Sequence, residues 1–315
     1  MRAMSARSRA LLPILLVWAF AGAALHAQTA VEPAPDPAAD LVQRAQQKQH
    51  DGKLDEAVPL FRQAVQMSPH YFLAHQHFGI ILDLTGDYVA ARTHLFMAQQ
   101  LATTPRQKAQ AQRAVAISYA FEGNCAETAK YEGPLYESYL EVKDFYDAGE
   151  IADEMARIFS ECGRLDDAMK WYRTGWETGL RDPDIKEDQK DLWDFRWEHA
   201  QGRIAARRGN KAEAQKHIDA AKAILDKGTN SGQAPFFAYL TGYVAFHTGD
   251  FKAAIADLQK ASQTDPFILS LIAQSYEKIG DQAQATEYYK KVLAAPATHN
   301  PPNAFARPLA KKKLG

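Results

Sequence analysis

The stretch Leu192–Gly209, LWDFRWEHAQGRIAARRG, sets four arginines and a histidine among two tryptophans and a phenylalanine. Guanidinium groups present planar forks of donors that match carboxylates. Arg196, His199, Arg203 and Arg207 recur at three- and four-residue intervals, which puts them on one face of a helix. Such a face reads in two ways. It is a receptor for an anionic group, or it is a solvated stripe neutralised by neighbours such as Asp194 and Glu198. Trp193 and Trp197 are expected to be packing anchors, since aromatics at helical spacing are mostly core. Catalytic patterns are missing: there is no H-E-x-x-H, no G-x-S-x-G, no phosphate-cradling glycine loop and no dinucleotide fingerprint. His75 and His77 lie two apart and point to different faces of a helix, so they are poor co-ligands even with His70 or His94 nearby. The expectation is a protein that binds and does not catalyse, with no metal site and no cofactor.

The elements that carry this face begin after a leader. Arg2, Arg7 and Arg9 precede an apolar run from Leu11 to Leu25, and Ala27 supplies a small residue before Gln28. That order is expected to be a secretory signal peptide over residues 1–27, with an uncleaved membrane anchor as the alternative. Residues 28–37 are Ala/Pro-rich and read as an extended linker. The chain is thus expected to be exported, to a periplasm or outside the cell, with no membrane span in its mature part. The leader's style suggests a bacterial-type cell envelope. A formal net charge of -1 gives no global basic field, so nucleic acid is not an expected partner. The two cysteines, Cys125 and Cys162, form no C-x-x-C pattern, and an exported chain could pair them.

Beyond the linker the sequence repeats itself. A glycine followed by a short polar segment recurs at Gly52, Gly86, Gly123, Gly163, Gly209, Gly249 and Gly280, with spacings between 31 and 46 residues. The surroundings are alike: "HDGKLDEAVPLFRQAV", "LTGDYVAARTHLFMAQ" and "HTGDFKAAIADLQKAS" each place small and large apolar residues at matching offsets. In Ala38–Pro69 the set is Leu41, Ala45, Gly52, Leu54, Ala57, Phe61 and Ala64; after Phe72 it is Gly79, Leu82, Gly86, Tyr88, Ala91, Leu95 and Ala98. A helix–turn–helix unit with a period of about 34 residues is the signature of tetratricopeptide repeats. From Ala38 to Val292 the chain resembles that family.

The resemblance implies an all-α superhelical solenoid of about seven repeats, near residues 38–71, 72–105, 109–142, 149–182, 195–228, 235–268 and 266–298. Residues 299–315 are expected to be a capping helix over the last apolar face, a need of every solenoid end. Three departures carry expectations. Gly133-Pro134 should kink the second helix of the third repeat, Pro183–Asp194 reads as an insertion, and the seventh repeat starts early. In the family, five positions of each first helix line a concave groove. Carried across, the fifth repeat contributes Arg196, His199, Arg203 and Arg207. The sixth contributes Phe236, Tyr239, Tyr243 and Phe246. Glu150, Asp153, Arg157 and Glu161 of the fourth give mixed charge. The expected partner is an extended or helical protein segment, carboxylate-rich, held as on a scaffold. The alternative is an anionic small molecule or polysaccharide in the same groove. The family's carboxylate clamps use Lys and Asn; the Asn is missing here, so that specificity does not transfer. The resemblance also sets Cys125 and Cys162 at one end of neighbouring helices, where a disulfide and two buried thiols both remain open.

Overall fold

The computed structural model describes residues 36–315; the leader and nearly all of the linker expected from the sequence lie outside them. Seven helix pairs follow one another: α1 (Ala39–His50) with α2 (Leu54–Met67), α3 (Phe72–Thr85) with α4 (Tyr88–Leu101), and α5 (Pro105–Phe121) with α6 (Cys125–Glu141). Then come α7 (Phe145–Glu161) with α8 (Leu165–Gly179), α9 (Glu187–Arg207) with α10 (Lys211–Leu225), α11 (Ala234–His247) with α12 (Phe251–Leu258), and α13 (Pro266–Lys278) with α14 (Gln282–Ala294). A last helix, α15 (Pro301–Leu314), ends the chain. The fold is an all-α tetratricopeptide-type solenoid.

Local chemistry explains five of the seven hairpins; Lys53 and Arg164 give α2 and α8 no side-chain cap. At the end of α3, Gly86 takes a left-handed φ of 100°, a conformation that costs other residues steric energy. The next residue, Asp87, sends its amide back to the Leu82 carbonyl (2.9 Å) and caps α4 by accepting from the Ala90 amide (3.2 Å). Asn124, Asn210, Asp250 and Asp281 repeat the cap on α6, α10, α12 and α14. A glycine then an Asp or Asn is therefore a complete stop-and-start signal. Between the helices of a pair, small residues permit close approach. A Cβ on Gly79 would lie 2.6 Å from the Leu95 side chain, and one on Gly242 would lie 2.6 Å from Leu258.

Three features bear on the sequence expectations. The helix α6 continues through Gly133 and Pro134, the pair expected to kink it. The Tyr131 carbonyl beside the proline takes a hydrogen bond from Gln112 Nε2 (2.6 Å), so a neighbouring helix supports the backbone there. The segment 183–194 is no separate insertion from Glu187 onward, because it adds two turns to the start of α9. The capping helix covers α13 and α14 as expected, but it also packs against α3, α5 and α7. These are first helices of their pairs, the ones that line the concave side. His299, just ahead of α15, hydrogen-bonds Asp83 on α3 (Nε2–Oδ2 2.8 Å) and stacks on Phe121. Lys311 donates to the Leu84 and Thr85 carbonyls at the α3 terminus (3.3 and 2.8 Å), where cations are favoured. The chain's own end thus occupies the first half of the groove.

The structure brings the sulfurs of Cys125 and Cys162 together, with Cα atoms 6.6 Å apart. A disulfide there would tie the start of α6 to the end of α7. Mature protein measured by intact mass without reductant should be lighter by two hydrogens than the reduced chain. Two thiols that react at once with iodoacetamide would remove the bridge.

Candidate functional site

On the concave side, beyond the part filled by α15, lies a chamber of about 860 Å³. Its walls come from α5, α6, α7, α8, α9, α11 and α13, and from Asn300, Pro301 and Pro302 at the start of the last helix. Four arginines reach it: Arg113, Arg157, Arg196 and Arg203. Two of them are neutralised. Arg113 grips Glu154 with both edges of its fork (Nε–Oε1 2.7 Å), and Arg196 pairs with Glu150. Arg196 also lies over the Trp193 ring, 4.9 Å from its centroid.

Arg157 and Arg203 are held differently. Arg203 is 7% exposed, donates from Nη2 to the Tyr172 hydroxyl (2.8 Å) and sits over the rings of Tyr172, Tyr239 and Tyr243. Its Nε has no partner among the described residues. Arg157 rests on the Phe267 ring at 5.0 Å, and its Nε and Nη2 are likewise unpartnered. The Tyr239 hydroxyl beside them is also without a partner. Burial raises its pKa, so it stays protonated at neutral pH. Asp153 stands in the same wall, where burial pushes its carboxyl up to about 7. His199 donates from Nε2 to the Phe236 carbonyl (3.1 Å). Burial drives its pKa well below the ordinary value, so it contributes a neutral ring and no charge.

The eight groove residues named from the sequence therefore divide. Arg196, His199, Arg203, Phe236 and Tyr239 line the chamber. Arg207 instead pairs with Glu161 (3.3 Å) and the Tyr243 hydroxyl (3.4 Å). Tyr243 is fully buried, and Phe246 packs edge-on to Phe251. Arg207 and Tyr243 belong to the packing between repeats, and Phe246 to the packing within its own pair. Arg157, named from the sequence in the mixed-charge set of the fourth repeat, also lines the chamber, and Arg113 is the addition. Arg113 sits at a groove position of its own helix, so the spacing that picked Arg203 would have picked it too. Tyr172 lies on a second helix, α8, and carried no signal. Behind Arg113, Glu132 is completely buried with both oxygens unpartnered. Burial, with Glu154 beside it, pushes its pKa well up, while Arg113 pulls it down. Elsewhere His75 and His94 face each other (Nδ1–Nδ1 3.0 Å), while His77 bonds Gln46 (2.8 Å). Among the described residues no cluster of three His, Cys, Asp or Glu could hold a metal ion, and no helix is long and apolar enough to cross a membrane.

Comparison with known proteins reports on the repeats. Two models described as tetratricopeptide repeat match residues 199–267 and 268–299. No curated protein matches the chain. Among solved structures, the nearly identical repeats, described as TPR-like, of a putative kinesin light chain from Podosopora anserina superpose with a TM-score of 0.50 at 15% identity, covering 60% of this chain and 95% of that one. A tetratricopeptide repeat protein from Parabacteroides merdae gives a TM-score of 0.49 at 14% identity, covering 88% of this chain and 97% of that one.

Proposed function

We propose that this chain, a member of the tetratricopeptide-repeat superfamily, is a non-enzymatic binding scaffold that captures a partner protein at the mouth of its concave chamber. The observation that carries the reading is the rim itself. Phe236 is 53% exposed where it borders the chamber, and Arg196 stands near it, half-covered and fixed on Trp193. An exposed aromatic beside an oriented guanidinium is the composition of interface anchors. With α15 packed on α3, α5 and α7, a partner has access where the chamber opens between α5 and α13. An acidic segment crossing there would displace Glu150 from Arg196.

The reading includes a place of action. Export to an oxidising compartment of a bacterial-type envelope fits the leader-like order of residues 1–27 and the close approach of Cys125 and Cys162. The test is crosslinking capture from the envelope fraction, with the wild-type chain and an Arg196→Ala/Phe236→Ala variant in parallel. Both side chains are accessible, so the fold should survive. Defined proteins should be captured by the first and lost with the second. Equal capture by both would remove the rim from the site.

A further inference from the structure

Two buried guanidiniums in one chamber present a distinct problem. The other arginines of the chamber and its edge have an acid: Arg113 has Glu154, Arg196 has Glu150 and Arg207 has Glu161. Among the described residues Arg157 and Arg203 form no ion pair, and the charge of Arg203 acts on Arg157 against its own ionisation. Like charges withdrawn from water need compensation by an anion or by several hydrogen bonds. Glu161 attracts both, but its bonded oxygen is on Arg207 (3.3 Å) and neither Arg157 nor Arg203 is within ion-pair distance of it; the two acids of the wall compensate less. Asp265 spends its carboxylate on the Phe267 and Ile268 amides (2.8 and 3.3 Å) as the cap of α13. Asp153 pairs with neither arginine, and burial holds it half-protonated near neutrality.

We infer that the chamber is a receptor for a small organic carboxylate, seated between Arg157 and Arg203 with the Tyr239 hydroxyl as a further donor and its apolar body against Ile151 and Ile268. Three observations select that class. The unpartnered donors are guanidinium edges and one phenol, a set that a planar two-oxygen anion satisfies. Asp153, Asp265 and Glu161 face the same corner, so a phosphate dianion meets repulsion that a monoanion largely avoids. Length is limited as well. Asn300, Pro301 and Pro302 close one side, and the volume of about 860 Å³ is that of a small-molecule site. The site goes beyond partner capture at the rim and does not depend on it. An occupant seated on Arg157 and Arg203 leaves Arg196 and Phe236 free.

Ligand-detected NMR and calorimetry on the full mature chain test this with a fixed panel: acetate, hexanoate, phenylacetate, phenylacetamide, inorganic phosphate, and the tripeptide Gly-Gly-Phe with a free or amidated end. Hexanoate or phenylacetate should bind saturably with one site, and phenylacetamide should not. Arg157→Gln and Arg203→Gln should each weaken binding by about tenfold or more, the loss of a charged hydrogen bond. Arg203→Lys keeps the charge without the fork and should fall between; circular dichroism shows that each variant is folded. Absence of saturable binding by all three acids overturns the proposal. So does binding that ignores the Arg157 variant, or phosphate alone as ligand. Binding of the free-ended tripeptide without either larger acid transfers the site to a chain terminus and also overturns it. Crosslinking capture repeated with Arg157→Gln should be unchanged, so the rim and the chamber fail separately.

Discussion

Replacing His299 with alanine should destabilise the protein by about 1–3 kcal/mol, the range for leaving a buried hydrogen-bonding group without its partner. Asp83 is fully buried and has two hydrogen-bond partners, His299 Nε2 at 2.8 Å and Ser118 Oγ at 2.9 Å. Ser118 alone cannot balance a carboxylate out of water. Two further contacts of the terminal segment depend on its position: Lys311 on the α3 carbonyls, and Gln49 on the Ala297 carbonyl (2.9 Å). The variant should therefore loosen α15 from α3 and α5. Urea denaturation at pH 7 gives the size of the effect, and hydrogen exchange over residues 296–314 locates it. The pH dependence has a definite sign. Burial raises the Asp83 pKa, while His299 and then Ser118 pull it down. Without His299 the upward push is less opposed, so the ionised form is penalised in the folded state above the raised pKa. As pH falls through that value Asp83 takes up a proton, and the variant's deficit relative to wild type should shrink. No measurable deficit at pH 7, or unchanged hydrogen exchange over residues 296–314, would show that the contact does not hold the terminal segment in the groove.

Trp193→Ala should cost about 3–5 kcal/mol, the range for emptying a buried aromatic site. Trp193 is 1% exposed. Its six-membered ring edge lies against Gly149 and its indole face against Gly179. A Cβ on either glycine would fall 2.6 and 2.1 Å from the ring, far inside van der Waals contact. Two glycines are needed because a tryptophan from the early turns of α9 is wedged between α7 and α8. Gly179→Ala should thus destabilise as well. Combined with Trp193→Ala it should be less than additive, since the new methyl then enters space the ring has left. Trp193 also supports the Arg196 guanidinium, so the single variant should weaken partner capture at the rim. Additive costs in the double variant would rule out the wedge.

Much of the solenoid is legible from short stretches. Gly86-Asp87, Gly249-Asp250 and Gly280-Asp281 each stop one helix and start the next, and both events are settled within about one helical turn. Gly79 and Gly242 mark the close approach inside a hairpin for the same reason, since their contacts, Leu95 and Leu258, lie 16 residues on. The repeat is thus written in local chemistry, and so is the face that carries Arg196, His199 and Arg203. Tertiary structure decided what that face meets. Arg207 and Arg203 sit one turn apart on α9, yet Glu161 of α7 stands opposite the first and tyrosine rings surround the second. That depends on how consecutive pairs are rotated against each other. The rotation accumulates over seven pairs and is not encoded at any one of them. The same accumulation brings α15 back to α3, 216 residues from Asp83 to His299. No local signal marks a contact of that span, because chain-end closure is a property of the whole superhelix.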